Sequence, residues 1–418
     1  MDPQTLEGRG DFKGSNMTIK ATLCAGAALG VILAGATAAN AQDTTTAWKG
    51  APQFQNDTLT FKVRGRVYQD FVNQNVEREN GTGYEANVTR LRTARLGVEG
   101  TWNANWAYKA EFTVAGGSAN WEDLILEYKP TDNLSIMAGN FKTVSFENIS
   151  SSRYTTFMER GPYNDVLDIG RVMNVSVKAN GETWTAAASI SGDSLNNADP
   201  TATANGGNEL LGVNGRVTWV PVNGDRDKLH VGAWARYRDR QDQANLTYQT
   251  RNNTNYGARF VTTGAVGVSD KMIGLEGLYI HGPFSVQAEW ATADVDRIAN
   301  VSSDFSTYYV SGSWFVTGEM RNLDVKKGEL GRTKILNPIT SGGFGALELA
   351  VRYDNVDLTN FNIPATAGEY SAWTVGANWY PHPYVRFMAN YSKSQNDNKA
   401  LGADVDVDTL QFRAQFDF

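Results

Sequence analysis

Apolar and polar residues alternate along most of the chain from about residue 58 to its end. In the stretch TLTFKVRGRVYQD, Leu59, Phe61 and Val63 share one parity, whereas Lys62 and Arg64 belong to the other. Because successive side chains of a β-strand point to opposite faces, this period of two predicts strands with one apolar and one polar face. About fifteen or sixteen such segments follow one another, and most are close to the ~9–11 residues that a tilted strand needs to cross a bilayer.

Gly, Asn, Asp and Pro are frequent between these segments, and short and long connections alternate along the chain. That order is typical of an antiparallel meander with short periplasmic turns and longer outer loops. Tryptophan and tyrosine recur near the segment ends, as in aromatic girdles at membrane interfaces. We therefore predict an all-β fold, a transmembrane antiparallel β-barrel of about 16 strands. A secreted soluble β-sandwich that binds glycans is the alternative, since alternation alone also fits that class.

The N-terminal residues have the features of an export signal. Met17 begins a short basic head, residues 21–39 are small and apolar, and Ala39-Asn40-Ala41 matches an A-x-A cleavage site. We predict cleavage near Ala41 and a location in the outer membrane of a Gram-negative cell. The predicted layout is an upstream extension that is not native at 1–16, a signal peptide at 17–41, an N-terminal segment at 42–57 and the barrel at 58–418.

The mature chain offers no evident catalytic machinery. Cys24, the sole cysteine, is removed with the signal peptide, which excludes a cysteine nucleophile and a disulfide framework. His230, His281 and His382 are widely spaced and lack the context of metal-binding motifs. No pair of carboxylates stands out as a general acid and base. We predict a protein that is not an enzyme and that binds no metal, no cofactor and no nucleic acid.

Basic residues cluster on the polar parity of several predicted strands. Arg64 and Arg66 fall on one strand, and Arg236 and Arg238 fall on another. In a barrel these side chains must face the lumen, because Arg or Lys on the lipid face at mid-bilayer costs roughly 2–4 kcal/mol. Forked guanidinium donors suit phosphate oxygens and replace part of an anion's hydration shell. The pattern predicts passive diffusion of small anions. A non-selective general diffusion porin is the alternative, since several glutamates share the polar parity.

One stretch without alternation interrupts the strand series, NFKTVSFENISSSRYTTFMERGPYNDVLDIG at 140–170. We predict that it folds inward as a constriction loop. In that position it would narrow the pore and present Lys142, Arg153, Glu159 and Arg160. An outward surface loop is the competing interpretation.

Several stretches resemble the phosphate-selective porins of the O and P type. In chain order they are RLRTARLGVEG, AGNFKTVSFENISSSRYTTFMER, YYVSGSWFVTGEMRNLDVKKGELGR, GFGALELAVRYDNVDL, VGANWYPHPYVRFMANY and the terminal FRAQFDF. The resemblance implies a sixteen-stranded outer-membrane barrel, usually a homotrimer, with an inward loop and an arginine-lined path for phosphate or polyphosphate. It also implies pore arginines at Arg92 and Arg95, and a basic residue, Lys142, that opens the inward loop. Arg90 and Arg92 share one parity and Arg95 lies on the other, so a β-bulge is needed to bring all three to one side.

The chain ends on a strict alternation, QFRAQFDF, whose last residue is Phe418. We predict a closing strand that pairs with the first strand, so that the barrel has no open edge. Phe412, Phe416 and Phe418 would then face lipid. In the outer-membrane proteins that this chain resembles, a terminal aromatic is part of the signal for the barrel assembly machinery. The predicted partners are outer-membrane lipid, small anions, other copies of the chain and this machinery.

Overall fold

The computed structural model describes residues 45–48, 50–196, 210–240, 246–297, 301–363, 366–397 and 404–418. The predicted signal peptide and the extension before it lie outside the described residues. In chain order the strands are β1 (Thr45–Trp48), β2 (Pro52–Gln55), β3 (Leu59–Arg78), β4 (Tyr84–Trp102), β5 (Trp106–Thr113), β6 (Asn120–Thr131), β7 (Leu134–Phe141), β8 (Val172–Asn180), β9 (Trp184–Ser191), β10 (Leu211–Asn223), β11 (Asp227–Asp239), β12 (Leu246–Gln249), β13 (Thr262–His281), β14 (Phe284–Arg297), β15 (Val301–Phe315), β16 (Asn322–Asp324), β17 (Glu329–Gly331), β18 (Ala346–Asp357), β19 (Glu369–His382), β20 (Val385–Asp397) and β21 (Val405–Asp417).

Sixteen of these strands form a closed antiparallel barrel. Strands β3–β11, β13–β15 and β18–β21 each pair with their neighbours in this order, and β21 pairs with β3. The hairpin of β1 and β2 extends the sheet at the start of β3, and β12 adds to β13. The prediction of an antiparallel barrel of sixteen strands is confirmed.

The closing contact involves the last residue of the chain. The N–H of Phe418 donates to the carbonyl of Gly65 at 3.0 Å, and the N–H of Gly65 donates to the carbonyl of Phe418 at 3.0 Å. A Cβ atom at Gly65 would lie 2.5 Å from the Phe418 ring, so this close approach requires glycine. Phe412 and Phe416 lie exposed on the outer face of β21. The predicted closing strand is confirmed.

The outer face of the barrel is largely apolar and its inner face carries most of the polar side chains, the reverse of a soluble protein. On β14, for example, Phe284, Val286 and Trp290 are exposed, whereas Gln287 and Glu289 are buried. The same alternation of exposed apolar and buried polar residues recurs on β10, β15, β20 and β21. This arrangement suits a barrel whose exterior contacts lipid. It makes the alternative of a soluble β-sandwich wrong.

Aromatic side chains cluster near both ends of the outer face. Phe284 stacks on Trp314 at 5.8 Å beside the turn between β13 and β14. Tyr353 contacts Trp373 at 4.9 Å towards the opposite end. Such pairs are typical of the two girdles at the membrane interfaces.

Short turns join most strands at the end of the barrel that carries Phe418, which is the periplasmic end in this class of fold. One connection at this end departs from the expected pattern, because residues 316–345 separate β15 from β18 and contain the β16–β17 hairpin. A second long segment, residues 142–171, joins β7 to β8 and contains the short helices α1 (Phe146–Ile149) and α2 (Pro162–Val166). Among the described residues, no helix has the length and apolar character to span a membrane.

Candidate functional site

A cavity of about 840 Å³ lies on the inner face of strands β3–β10. Its charged lining is strongly basic, with fourteen Lys or Arg side chains and four Asp or Glu side chains. The basic residues are Lys62, Arg64, Arg66, Arg95, Lys109, Lys129, Lys142, Arg153, Arg160, Arg171, Lys178, Arg216, Lys327 and Arg332. The acidic residues are Glu99, Asp123, Glu127 and Glu329. An excess of fixed positive charge in a narrow space attracts anions.

Six of the nine residues predicted for the anion path come together around this cavity. They are Arg64, Arg66, Arg95, Lys142, Arg153 and Arg160. The first three project from the wall strands β3 and β4, and the others belong to segment 142–171. The wall and the segment thus supply basic groups to one space, although they are far apart in the sequence.

The remaining three predicted residues lie elsewhere on the inner face. Arg236 donates to the carbonyl oxygens of Leu167 and Asp168 at 2.5 and 3.0 Å. The guanidinium of Arg238 is paired with the carboxylate of Asp270 at 2.6 Å. These arginines hold the end of segment 142–171 against β11, away from the cavity.

Arg92 marks an irregularity in the wall. The register between β3 and β4 slips at Arg92, which is the extra residue of a β-bulge, so the predicted bulge is confirmed. Arg92 donates to both carboxylate oxygens of Glu159, at 2.7 and 2.8 Å, and thereby ties β4 to segment 142–171. Burial alone would raise the pKa of Glu159, but Arg92 and Arg413 outweigh it and hold that pKa well below its usual range. Glu159 is therefore a charged partner of both arginines.

Glu111 organises the arginines of the wall. Its fully buried carboxylate accepts hydrogen bonds from Arg64 at 3.1 Å, Arg66 at 3.0 Å and Arg95 at 3.4 Å. Charge-assisted bonds of this kind fix the direction of each guanidinium. The shared carboxylate also reduces the repulsion between three like charges, so the cluster attracts anions less strongly than three isolated arginines would.

Lys142 and Arg160 have a different environment. Lys142 Nζ donates to the carbonyl of Asn148 at 3.0 Å, and Arg160 Nε donates to the carbonyl of Glu147 at 2.9 Å. Among the ion pairs of the described residues, none involves either side chain. Burial, together with the charges of Arg160 and Arg171, lowers the pKa of Lys142 well below its usual value. Lys142 and Arg160 thus differ from Arg153 and Arg171 of the same segment, which both have carboxylates within 4.0 Å.

Several basic residues of the cavity were not among the predicted ones. Lys109 and Arg216 lie on the inner faces of β5 and β10, so strand alternation contained a signal for them. Arg171 directly precedes β8 and binds Glu122 and Asp123 at 2.6 Å each. No periodic pattern covers Arg171, because it lies in the irregular segment.

Segment 142–171 is held by side chains from strands around the barrel. Its backbone carbonyl groups accept hydrogen bonds from Arg236 of β11, Arg352 of β18, Asn378 of β19 and Arg386 of β20. All four donor side chains are buried. Irregular backbone remains stable here because these side chains satisfy its polar groups.

Residues 316–345 contact the same segment from the periplasmic end. Leu330 N–H donates to Ser150 Oγ at 3.0 Å, and Arg216 donates to the carbonyl of Gly328 at 2.8 Å. Arg332 pairs with Asp417 of the closing strand and lies over the Tyr384 ring at 4.9 Å. This contribution to the cavity was missed at the sequence level. The loss of alternation in GEMRNLDVKKGELGR was the available signal.

Apolar side chains pack on the opposite inner face of the barrel. Val166 and Leu167 of the segment belong to a buried cluster with Trp234, Phe305 and Tyr309 from β11 and β15. This cluster lies on strands other than β3–β10, whose inner face borders the cavity. A barrel interior that is uniformly polar, as simple alternation suggests, is not what the molecule has.

The histidines show no metal-site geometry. His230 Nε2 lies 2.9 Å from a carboxylate oxygen of Glu276, which also binds Arg216. His281 Nδ1 pairs with Asp227 at 2.5 Å on the surface. Within the described ranges, no group of three or more His, Cys, Asp or Glu side chains is suited to a metal ion.

A closed sixteen-stranded barrel with an apolar exterior and a basic cavity on its inner face defines an outer-membrane porin. Residues 61–418 match the family model of the phosphate-selective porin O and P, and the chain belongs to that family. The resemblance seen in the sequence is confirmed. Porins are channels rather than enzymes.

Individual proteins are similar to this chain over most of its length. Porin O of Pseudomonas aeruginosa is 25% identical over 404 residues, covering 86% of this chain and 89% of the relative. An uncharacterized protein of Caulobacter vibrioides is 28% identical over 358 residues, covering 83% of this chain and 71% of the relative. Two solved structures share the fold. The anion-selective porin from Comamonas acidovorans has a TM-score of 0.54 at 13% identity, covering 86% of this chain and 100% of its own. The outer membrane channel DcaP of Acinetobacter baumannii has a TM-score of 0.54 at 12% identity, covering 87% of this chain and 99% of its own.

Proposed function

We propose that this porin passes small anions by passive diffusion. The observation that carries the proposal is the cavity lining, with fourteen basic and four acidic side chains. Rings of charged side chains select ions of the opposite sign. Carboxylates such as Glu111 moderate the attraction, which a conducting pore needs because a bound ion must also leave.

Segment 142–171 is, in this proposal, an inward constriction loop. Two observations support it. Buried side chains from the inner faces of β11 and β18–β20 hold its carbonyl groups, and its residues Lys142, Arg153 and Arg160 line the cavity. The loop would bring these cations to the narrowest part of the path.

Phosphate or polyphosphate is the anion that fits these donors best. Guanidinium forks match phosphate oxygens in pairs, and several arginines converge on one space. The family description, which names phosphate-selective porins, adds support. Adding phosphate to a chloride solution should therefore reduce the single-channel chloride current, because phosphate occupies the path for longer.

The direct test is the reversal potential of the purified protein in a planar bilayer with asymmetric KCl. We expect the sign that corresponds to chloride preference. Cation preference would overturn the proposal. A potential near zero would favour the second candidate, a general diffusion porin. The pairing of Glu111, Glu122 and Asp123 with arginines supports this candidate, because it neutralises part of the positive charge.

A homotrimer is the proposed assembly. OmpT of Vibrio cholerae, which has a TM-score of 0.51 at 15% identity and covers 87% of this chain and 100% of its own, has been solved in a trimer form. Cross-linking of the detergent-solubilised protein should give a limiting band at three subunits. A limiting band at one subunit would contradict this assembly.

A further inference from the structure

Glu289 contacts segment 142–171 in an unusual way. It lies on the inner face of β14 and is only 2% exposed. One carboxylate oxygen accepts the backbone N–H of Phe146 at 2.9 Å, and the other accepts the N–H of Glu147 at 2.8 Å. Tyr309 of β15 donates its hydroxyl to the same carboxylate at 2.7 Å. The Glu289 side chain is thus bonded to the backbone of Glu147, which lies 142 positions earlier in the sequence.

The donors to Glu289 are all neutral groups. Among the ion pairs of the described residues, none includes Glu289, whereas Glu276, directly opposite on β13, pairs with Arg216 and His230. Burying a carboxylate without a cation is costly unless hydrogen bonds compensate. The two backbone N–H groups therefore supply a large part of what keeps Glu289 inside the barrel.

The start of the segment depends on this carboxylate in turn. The backbone at Ser145 has a φ of 69°, which is strained for a residue other than glycine. Helix α1 follows directly, and the first N–H groups of a helix have no partner within it. Ser145 Oγ accepts only a long bond, 3.4 Å, from the N–H of Asn148. Glu289 satisfies two of the remaining donors from the barrel wall.

Apolar contacts at the same point add support. The Phe146 ring is fully buried with Leu278 and Ile280 of β13 and with Leu330 of the periplasmic connection. Ser150 and Arg153, which line the cavity, follow Phe146 closely in the sequence. A shift at Phe146 would therefore move the cavity wall.

We propose that Glu289 is a positioning residue of the pore, which fixes the start of segment 142–171 to the wall and thereby sets the bore and the anion preference. This inference rests on the proposed function, in which the segment is the constriction. Glu289 does not line the cavity, and it acts on the ion only through the segment that it holds.

The test compares Glu289→Ala, Glu289→Gln and a matched control, Glu276→Gln, which changes a buried carboxylate on the facing strand without touching the segment backbone. Each change is made with and without Ser151→Cys, because the mature chain is expected to carry no other cysteine. Heat-modifiable gel migration reports barrel assembly. Channel conductance, reversal potential and the rate at which a thiol reagent labels position 151 report the segment.

We expect Glu289→Ala to assemble, to conduct more, to lose anion preference and to label severalfold faster at position 151. Glu289→Gln should fall between Ala and wild type, because its amide offers one acceptor oxygen for two N–H donors. Glu276→Gln should keep the wild-type labelling rate. If Glu289 served only folding, the assembled barrels of Glu289→Ala and Glu289→Gln would both label at the wild-type rate, and this order of labelling rates would not appear.

Wild-type conductance and labelling in Glu289→Ala would overturn the inference. If Glu289→Ala does not assemble, Glu289→Gln is the variant to compare with wild type. A wild-type labelling rate at position 151 in Glu289→Gln would then overturn the inference. A wild-type channel without anion preference would overturn the proposed function instead. In that case the labelling rates would still test whether Glu289 holds the start of segment 142–171, so the two failures are distinguishable.

Discussion

Lys142 combines burial with a position at the cavity, and this makes its charge dependent on pH. Burial and the neighbouring Arg160 and Arg171 lower its pKa well below the usual value. The ammonium group is charged below that lowered pKa and neutral above it, so the pore loses one positive charge as the pH rises through it.

We therefore expect the anion preference of the wild-type pore to decline as the pH is raised through the lowered pKa of Lys142. Lys142→Arg should flatten this part of the profile, because arginine stays charged across the range. Reversal potentials measured at a series of pH values provide the check. Coincident profiles for the wild type and Lys142→Arg would rule out this role of Lys142.

Arg92 and Lys142 share a predicted role but differ in position. Lys142 lines the cavity, whereas Arg92 is bound by both oxygens of Glu159. Lys142→Ala should weaken phosphate block of the chloride current by roughly ten- to a hundredfold, since a hydrogen bond to a charged group contributes roughly 1.5–3 kcal/mol. Arg92→Ala should weaken it less. An equal loss in both variants would mean that Arg92 also contacts the permeating ion.

At the scale of elements, β21 closes the barrel and its last residue completes the seam. Phe418 exchanges two backbone hydrogen bonds with Gly65, and its ring lies 5.4 Å from that of Phe416. Deleting Phe418 removes these contacts and the terminal aromatic that the assembly machinery is proposed to bind.

We expect the deletion of Phe418 to lower the amount of heat-modifiable barrel in the outer membrane, while the channels that do form keep their conductance. Phe418→Tyr, which keeps an aromatic ring, is the control and should assemble at nearly the wild-type level. Quantitative gel shifts of membrane fractions and single-channel recordings give the two readouts. Normal assembly without Phe418 would show that the seam tolerates its loss.

At the scale of the whole molecule, the exposed apolar side chains imply a barrel surrounded by lipid. Leu275 is 56% exposed on the outer face of β13, midway between Lys271 and Tyr279. Leu275→Arg should reduce the free energy of unfolding by about 2–4 kcal/mol, because it places a charge at mid-bilayer.

Gln395→Arg is the matched control, since Gln395 is exposed near the end of β20, two residues beyond Lys393, which pairs with the girdle residue Trp373. Its cost should be about 0–1 kcal/mol. Urea unfolding of the protein in lipid vesicles measures both values. Similar losses in the two variants would place the membrane elsewhere on the barrel.

The sequence determined the features that depend on local periodicity. Because side chains on a strand alternate with a period of exactly two by geometry, Arg64 and Arg66 could be placed inside and Phe412 and Phe416 outside from their parity alone. The bulge at Arg92 was visible as a break in that parity. The family and the sixteen-strand architecture were accessible for the same reason, since the strands make up most of the chain.

Only the tertiary structure decided which inner-face arginines border open space. Arg236 has the same parity and burial as Arg66, yet its donors are occupied by the carbonyl groups of Leu167 and Asp168. Those partners come from segment 142–171, which has no repeating pattern that a sequence could reveal. The path of such a segment follows from contacts with many distant strands at once, and these contacts exist only after the barrel has closed.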